Sequence, residues 1–323
     1  VHDHESIVAG RHYPNLRRVF RHLSFDTSFL SPDQVFHTQV GRAFSAWLNR
    51  DKGNTLGDRS TAIRGDLTSW TEKLRIDLNY THPGLAGELT LKKKNRDNHL
   101  SGVCAGWQNQ ADFSFNGTCE NETAELGRSI LNQYAKYLAR FHMASIGQAS
   151  VDEIAFPPLE VTLVQRLQSM GREAGLDIPG QLRKIQEFFG SADFSKIPFT
   201  RIWGQFWATL ARCVRNGMKP ESFPSGSIYN DLEALAAYSP YCDAMFMDEE
   251  VDHYSRQGQL RNTLEPGAKV FSLRSKEAFL AYLKDLENEA TADHLELVRQ
   301  VYGPNAGSPF LSLLTWDKKR AQS

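Results

Sequence analysis

Charge of one sign is missing from this chain. Its 323 residues carry 37 basic and 38 acidic side chains, a net charge of −1. No global field announces a polyanionic partner, so any nucleic-acid binding must come from a local patch. Long apolar runs are missing too. None approaches the ~20 residues that cross a bilayer, and the opening VHDHESIVAGRHYPNLRRVF has no apolar stretch of secretory type. Contact with a membrane is therefore not expected. The chain opens on Val1 rather than Met, which leaves room for residues upstream of it. Cysteine is scarce: Cys104, Cys119, Cys213 and Cys242 make no CxxC pair and no zinc spacing with histidine. Thiols in a reducing cytoplasm are the expectation. The loop CAGWQNQADFSFNGTCENET points the other way, with glycosylation triplets at Asn116 and Asn121 and a third at Asn79. Such triplets arise by chance in a chain rich in asparagine, and the expected location stays cytoplasmic. Internal repeats and low-complexity linkers are absent as well.

What is there is a globular composition, 41% hydrophobic and 11% aromatic. In PNLRRVFRHL, Leu16, Val19, Phe20 and Leu23 form one helical face and Arg17, Arg18 and Arg21 the other. Ser31-Pro32-Asp33 starts a helix that runs to Leu48. An amphipathic helix is expected over 60–78. The run LKKKNRDNHL, with Lys92, Lys93, Lys94 and Arg96, either touches phosphates or is an exposed charged face. Residues 124–146 form a strong helix with Leu126, Ile130, Tyr134, Tyr137, Leu138 and Phe141 on one side. A further helical stretch over 159–189 is interrupted near GLDIPG. Trp203, Phe206 and Trp207 have the spacing of a core helix, with base stacking as the alternative.

The C-terminal third changes character. DLEALAAYSPY reads as a helix, CDAMFM as a short buried strand, AKVFSL as a second strand, and Ser275 opens a last helix through EAFLAYL. Helix, strand, strand, helix in this order indicates parallel α/β layering. Ligands of such sheets sit beyond the C-terminal strand ends. Asp248 follows the first strand directly, and Asp231 opens the helix that leads into it, so the two carboxylates can face one cleft. Clustered carboxylates repel unless a cation holds them, and hard divalent ions prefer oxygen ligands. Equally, Asp231 is an ordinary helix-start residue, and Asp248-Glu249-Glu250 an ordinary solvated turn.

The segment YNDLEALAAYSPYCDAMFMDEE, followed by KVFSLRSKEAFLAYL, resembles the C-terminal half of PIN-like domains, a family of metal-dependent ribonucleases. The resemblance covers about residues 200–286. It implies an α/β fold, a PIN-like parallel sheet flanked by helices, built from 1–79 and 196–323 with 80–195 as a large helical insertion. It also implies an endoribonuclease that hydrolyses phosphodiester bonds of RNA or other single-stranded nucleic acid. Asp231 and Asp248 would be catalytic and would bind Mg2+ or Mn2+, with Glu249 and Asp243 as further ligands. Arg17, Arg18, Arg21 and Asn230 would hold the substrate. The family's first acidic strand has only Asp3 and Glu5 as candidates here. The segment for its second acid offers Asp33, His37 and Gln39 but no glutamate. The alternative is a catalytically degenerate PIN-like scaffold that binds a protein partner through the helical insertion.

Overall fold

The computed structural model describes residues 28–51, 57, 59–64, 85–150, 154 and 157–289. The elements run β1 (Ser28–Phe29), α1 (Pro32–Leu48), a 3-10 turn at Arg59–Thr61, β2 (Ile63–Arg64), α2 (Leu85–Asn109), α3 (Phe115–Ser145), α4 (Leu159–Glu173), α5 (Ile178–Phe189), α6 (Ala192–Ser195), α7 (Pro198–Arg215), α8 (Ile228–Tyr238), β3 (Ala244–Phe246), α9 (Glu249–Ser255), α10 (Gly258–Leu264), β4 (Lys269–Phe271) and α11 (Lys276–Glu289). The architecture is mostly helical, with a small two-stranded parallel sheet. Among the described residues no helix is long and apolar enough to cross a membrane.

Two compact units are present. One contains residues 1–29, 63–92 and 273–323; its described parts are the antiparallel pair of β1 and β2, the first turns of α2, and α11. The other contains 30–62 and 93–272 and holds a continuous core drawn from α1 to α10.

Local chemistry accounts for the helix ends. Ser31 accepts from the Gln34 N–H while the Gln34 side chain accepts from the Ser31 N–H, a reciprocal cap with Pro32 in the first turn. Ser114 caps α3 and Asp177 caps α5. The break expected at GLDIPG falls between α4 and α5, where Gly175 takes a φ of 82° that favours glycine.

The centre of the larger unit is α7. Phe199, Ile202, Phe206, Trp207, Leu210, Ala211 and Val214 are buried along it, and α3, α8 and α10 pack around it. Trp203 stacks on Phe199 with centroids 5.9 Å apart, so the aromatic helix is core, as its spacing indicates. α7 and α3 approach closely at Gly204, where a methyl group would lie 2.8 Å from the Cys119 carbonyl oxygen and 2.8 Å from Thr123 Oγ1.

Two expectations need correction. LKKKNRDNHL is not merely a charge run but part of the long helix α2, because Leu100, Cys104 and Trp107, one face over two turns, bury against the core and anchor the turns before them. The strand expected over 242–247 is shorter and is not buried. β3 and β4 do pair in parallel, with Ala244 opposite Lys269 and Phe246 opposite Phe271. Yet Phe246 is 47% exposed. The apolar composition of CDAMFM is explained by Met245 and Met247, which pack partly buried against the helical core. The helix expected over 60–78 meets the 3-10 turn and β2 at its start, and residues 65–84 lie outside the described ones.

Candidate functional site

Asp231 is the fourth residue of α8, within the first turn. Asp248 precedes the first residue of α9 and is exposed. Glu250 lies in the first turn of α9. Its carboxyl is raised above the usual range, first by burial, then by the charges of Asp231 and Asp248, and is partly relieved by the Tyr254 hydroxyl, which donates to it at 3.5 Å. The two aspartates thus act on one neighbourhood. Among the described residues, however, no group of three or more His, Cys, Asp or Glu side chains is arranged to hold a metal ion.

Asp243 does not belong to that neighbourhood. It stands before β3 while Asp248 stands after it, and five extended residues span roughly 16 Å. Asp243 instead pairs with Arg59 at 2.6 Å. Glu249 lies beside Asp248 on the exposed start of α9. Asn230 is engaged within the protein: its Oδ1 accepts from Arg96 Nη1 at 2.7 Å. The Arg96 guanidinium lies 5.8 Å over the Tyr229 ring, and Asp97 accepts the Gly226 N–H, so this part of α2 is bolted to α8. Arg17, Arg18, Arg21, Asp3 and Glu5 lie outside the described residues.

The three candidates in α1 have structural surroundings. Gln39 is fully buried; its Oε1 accepts from the Phe199 N–H at 3.0 Å and its Nε2 donates to the Tyr241 hydroxyl at 3.4 Å. That supplies the cap α7 lacks, since Ile197 at its N-terminus has no side chain able to accept. His37 is pushed down to about 4 by burial and by the charge of Arg166. The Asp33 carboxyl is raised by burial and by Glu160.

Several titratable groups gave no signal in the sequence. Glu233 on α8 is pushed up to about 7 by burial and by Asp33, with Arg96 opposing. Glu122 on α3 is likewise pushed up to about 7 by burial and then Glu125. Burial, then Glu250, lifts the Cys104 thiol to about 11, and all four cysteines are free. Asp252 is buried, held by Arg256 Nε at 2.5 Å, Arg256 Nη2 at 3.2 Å and the Ser272 hydroxyl at 2.6 Å, a network that ties α9 to the end of β4. Glu233 and Cys104 respond to charges from elements distant in sequence, which local patterning does not reveal.

A different kind of surface appears on α3. This helix has 31 residues, about 46 Å in length. Thr118, Thr123, Gly127 and Ile130 are buried, and no residue beyond Ile130 is. The same face nevertheless continues apolar: Leu131 and Tyr134 are half-buried, then Leu138 is 45% and Phe141 51% exposed. Tyr134 donates to Gln168 Oε1 at 3.1 Å and Tyr137 to the Ile154 carbonyl at 3.3 Å, which fixes both rings beside the stripe. Ile146, just past α3, and Leu159, the first residue of α4, are also exposed apolar residues.

One cleft of about 760 Å³ lies elsewhere, lined by Trp47, Arg50, Asp51, Lys184, Asp193 and Lys196 among others. Lys184 sits 5.5 Å over the Trp47 ring and pairs with Glu187, and Lys196 pairs with Asp193, so most of its charge is internally balanced.

In comparisons with known proteins, the chain matches no family model, no curated protein and no solved structure.

Proposed function

We propose that this chain is a helical docking module that binds a protein partner through the distal half of α3, within the 80–195 helices. One observation carries this: the apolar face of α3 outruns the core it packs into. Interior contacts explain the stripe as far as Ile130, and nothing among the described residues buries Leu138 and Phe141. A helix end of no use to the fold has no reason to keep Leu, Tyr and Phe in register along one face. The test is thermodynamic. Leu138→Ser with Phe141→Ser should leave the melting temperature within about 2 °C of wild type, because half-exposed side chains contribute little to stability. A core role would instead cost roughly 3–5 kcal/mol, and a drop of that size would refute the docking reading.

A second reading, the PIN-like Mg2+ or Mn2+ nuclease, is favoured by the field that Asp231 and Asp248 jointly impose on Glu250. Hard divalent ions take about six oxygens, so these carboxylates would need water to complete the shell, and no hydrolytic step is assigned to them. Ligand binding to the native state raises stability, so millimolar Mn2+ should raise the melting temperature of the wild type and not of Asp231→Asn. Without metal, Asp231→Asn should melt level with or above the wild type because repulsion is relieved. Equal responses to Mn2+ in both proteins would end this reading.

A further inference from the structure

Four helices of the larger unit close with the same pair of backbone bonds. After α3, α4 and α7 the residue at the turn is Gly147, Gly175 and Gly217, with φ of 75°, 82° and 100°. That is the left-handed backbone in which a side chain is costly and glycine is not. After α1 the Arg50 N–H donates to the Trp47 carbonyl at 3.3 Å and the Asp51 N–H to the Ala46 carbonyl at 2.8 Å, and the residue at the turn, Arg50, takes a φ of 55°. Among the described residues it is the one non-glycine residue with positive φ. The strained backbone sets an arginine side chain in the lining of the cleft of about 760 Å³, where it forms no ion pair or hydrogen bond.

We propose that this cleft binds a small amphipathic carboxylate, an organic acid with an apolar body, and that Arg50 receives the carboxylate. The apolar wall comes from one face of α1. Ala43, Ala46 and Trp47 follow one another at steps of three and one, so they share that face, and the two alanines leave open the space that larger residues would fill. The Trp47 ring is fixed in place, with the Phe44 centroid at 6.0 Å and the Phe188 centroid at 5.6 Å, so the wall is preformed. The cleft has the size of ordinary small-molecule sites, which are concave, part apolar and preformed.

The charged wall sets the sign. Among the described lining residues Arg50, Lys184 and Lys196 stand against Asp51 and Asp193, one positive charge in excess. Lys184 is held by Glu187 and Lys196 by Asp193, each three positions away and exposed. Such surface pairs contribute little and release their lysines readily, whereas Arg50 has no acid to leave. A monoanion matches the excess. A phosphate ester, with about 1.5 to 2 negative charges near neutral pH, would exceed it against Asp51 and Asp193. The guanidinium also offers a carboxylate two parallel N–H donors.

The test uses the full chain and calorimetric titration with naphthoate as the probe. Naphthoate should bind, and naphthylmethylammonium, a like body with the opposite charge, should bind at least about tenfold more weakly. Arg50→Gly should weaken naphthoate at least about tenfold and yet melt at or above the wild-type temperature, since glycine suits the backbone that arginine strains. Ala46→Phe fills the cleft, leaves every charge in place and should abolish binding; if it folds poorly, Arg50→Gly decides alone. Equal binding of the cation, full binding by Arg50→Gly or full binding by a folded Ala46→Phe would each overturn the proposal. A lower melting temperature for Arg50→Gly would overturn it too, because the turn itself would then account for the arginine. Inorganic phosphate displacing naphthoate at equal concentration would overturn the carboxylate in favour of a phosphate site. Absence of naphthoate binding at millimolar concentration would remove the site.

Discussion

Gln39 shows how a residue can stand where a catalytic acid would be sought and do structural work instead. Buried between α1 and α7, it offers one acceptor to a helix start and one donor to Tyr241, so its neutrality is what makes it fit. Glu233 is the opposite case, an acid in a setting that disfavours its charge. Its pKa in the folded protein is about 7, above the 4.5 of the unfolded chain. The folded state therefore holds the proton more tightly. The associated stability is full below pH 4.5 and is lost as the pH rises through 7. Glu233→Gln should remove that slope from the pH dependence of chemical denaturation, and should be more stable than wild type above pH 7 by about 1–2 kcal/mol. An unchanged slope would show that Arg96 neutralises Glu233 in full. None of this was legible in DLEALAAY, because the groups that act on Glu233 come from α1 and α2.

Among elements, the helices were legible and the strands only in part. Periodicity in 198–215 marks a face that α7 does bury, that in 124–146 a face that α3 buries only as far as Ile130, and the signals at Ser31 and near GLDIPG mark the start of α1 and the break between α4 and α5. The order of β3 and β4 was legible too, yet a short apolar run cannot say whether a sheet or a helix layer covers it, and here Met245 and Met247 face helices. The contact between α3 and α7 has its own test. Gly204 is the point where the two backbones come nearest, and Gly204→Ala should destabilise by about 1–3 kcal/mol despite the better helix propensity of alanine. Denaturation that shows stabilisation instead would mean the helices part without cost.

For the whole molecule, the acidic site was legible as a pair, Asp231 and Asp248, and not as a neighbourhood, since Glu250 joins it only through the turn into α9. The division into a unit built from 1–29, 63–92 and 273–323 and another from 30–62 and 93–272 could not be read at all, because each draws on segments far apart in the chain. That separation also bears on how the protein is made. The bond from the Phe199 N–H to Gln39 spans 160 positions, so on a ribosome adding about 5–20 residues per second, α1 emerges on the order of ten to thirty seconds before the helix it caps exists. For that interval the apolar side of α1, with Val35, Phe36, Val40 and Phe44, has no α7 to cover it, and the nascent chain must either fill that face with α4 and α5 or expose it to holding factors until α7 arrives.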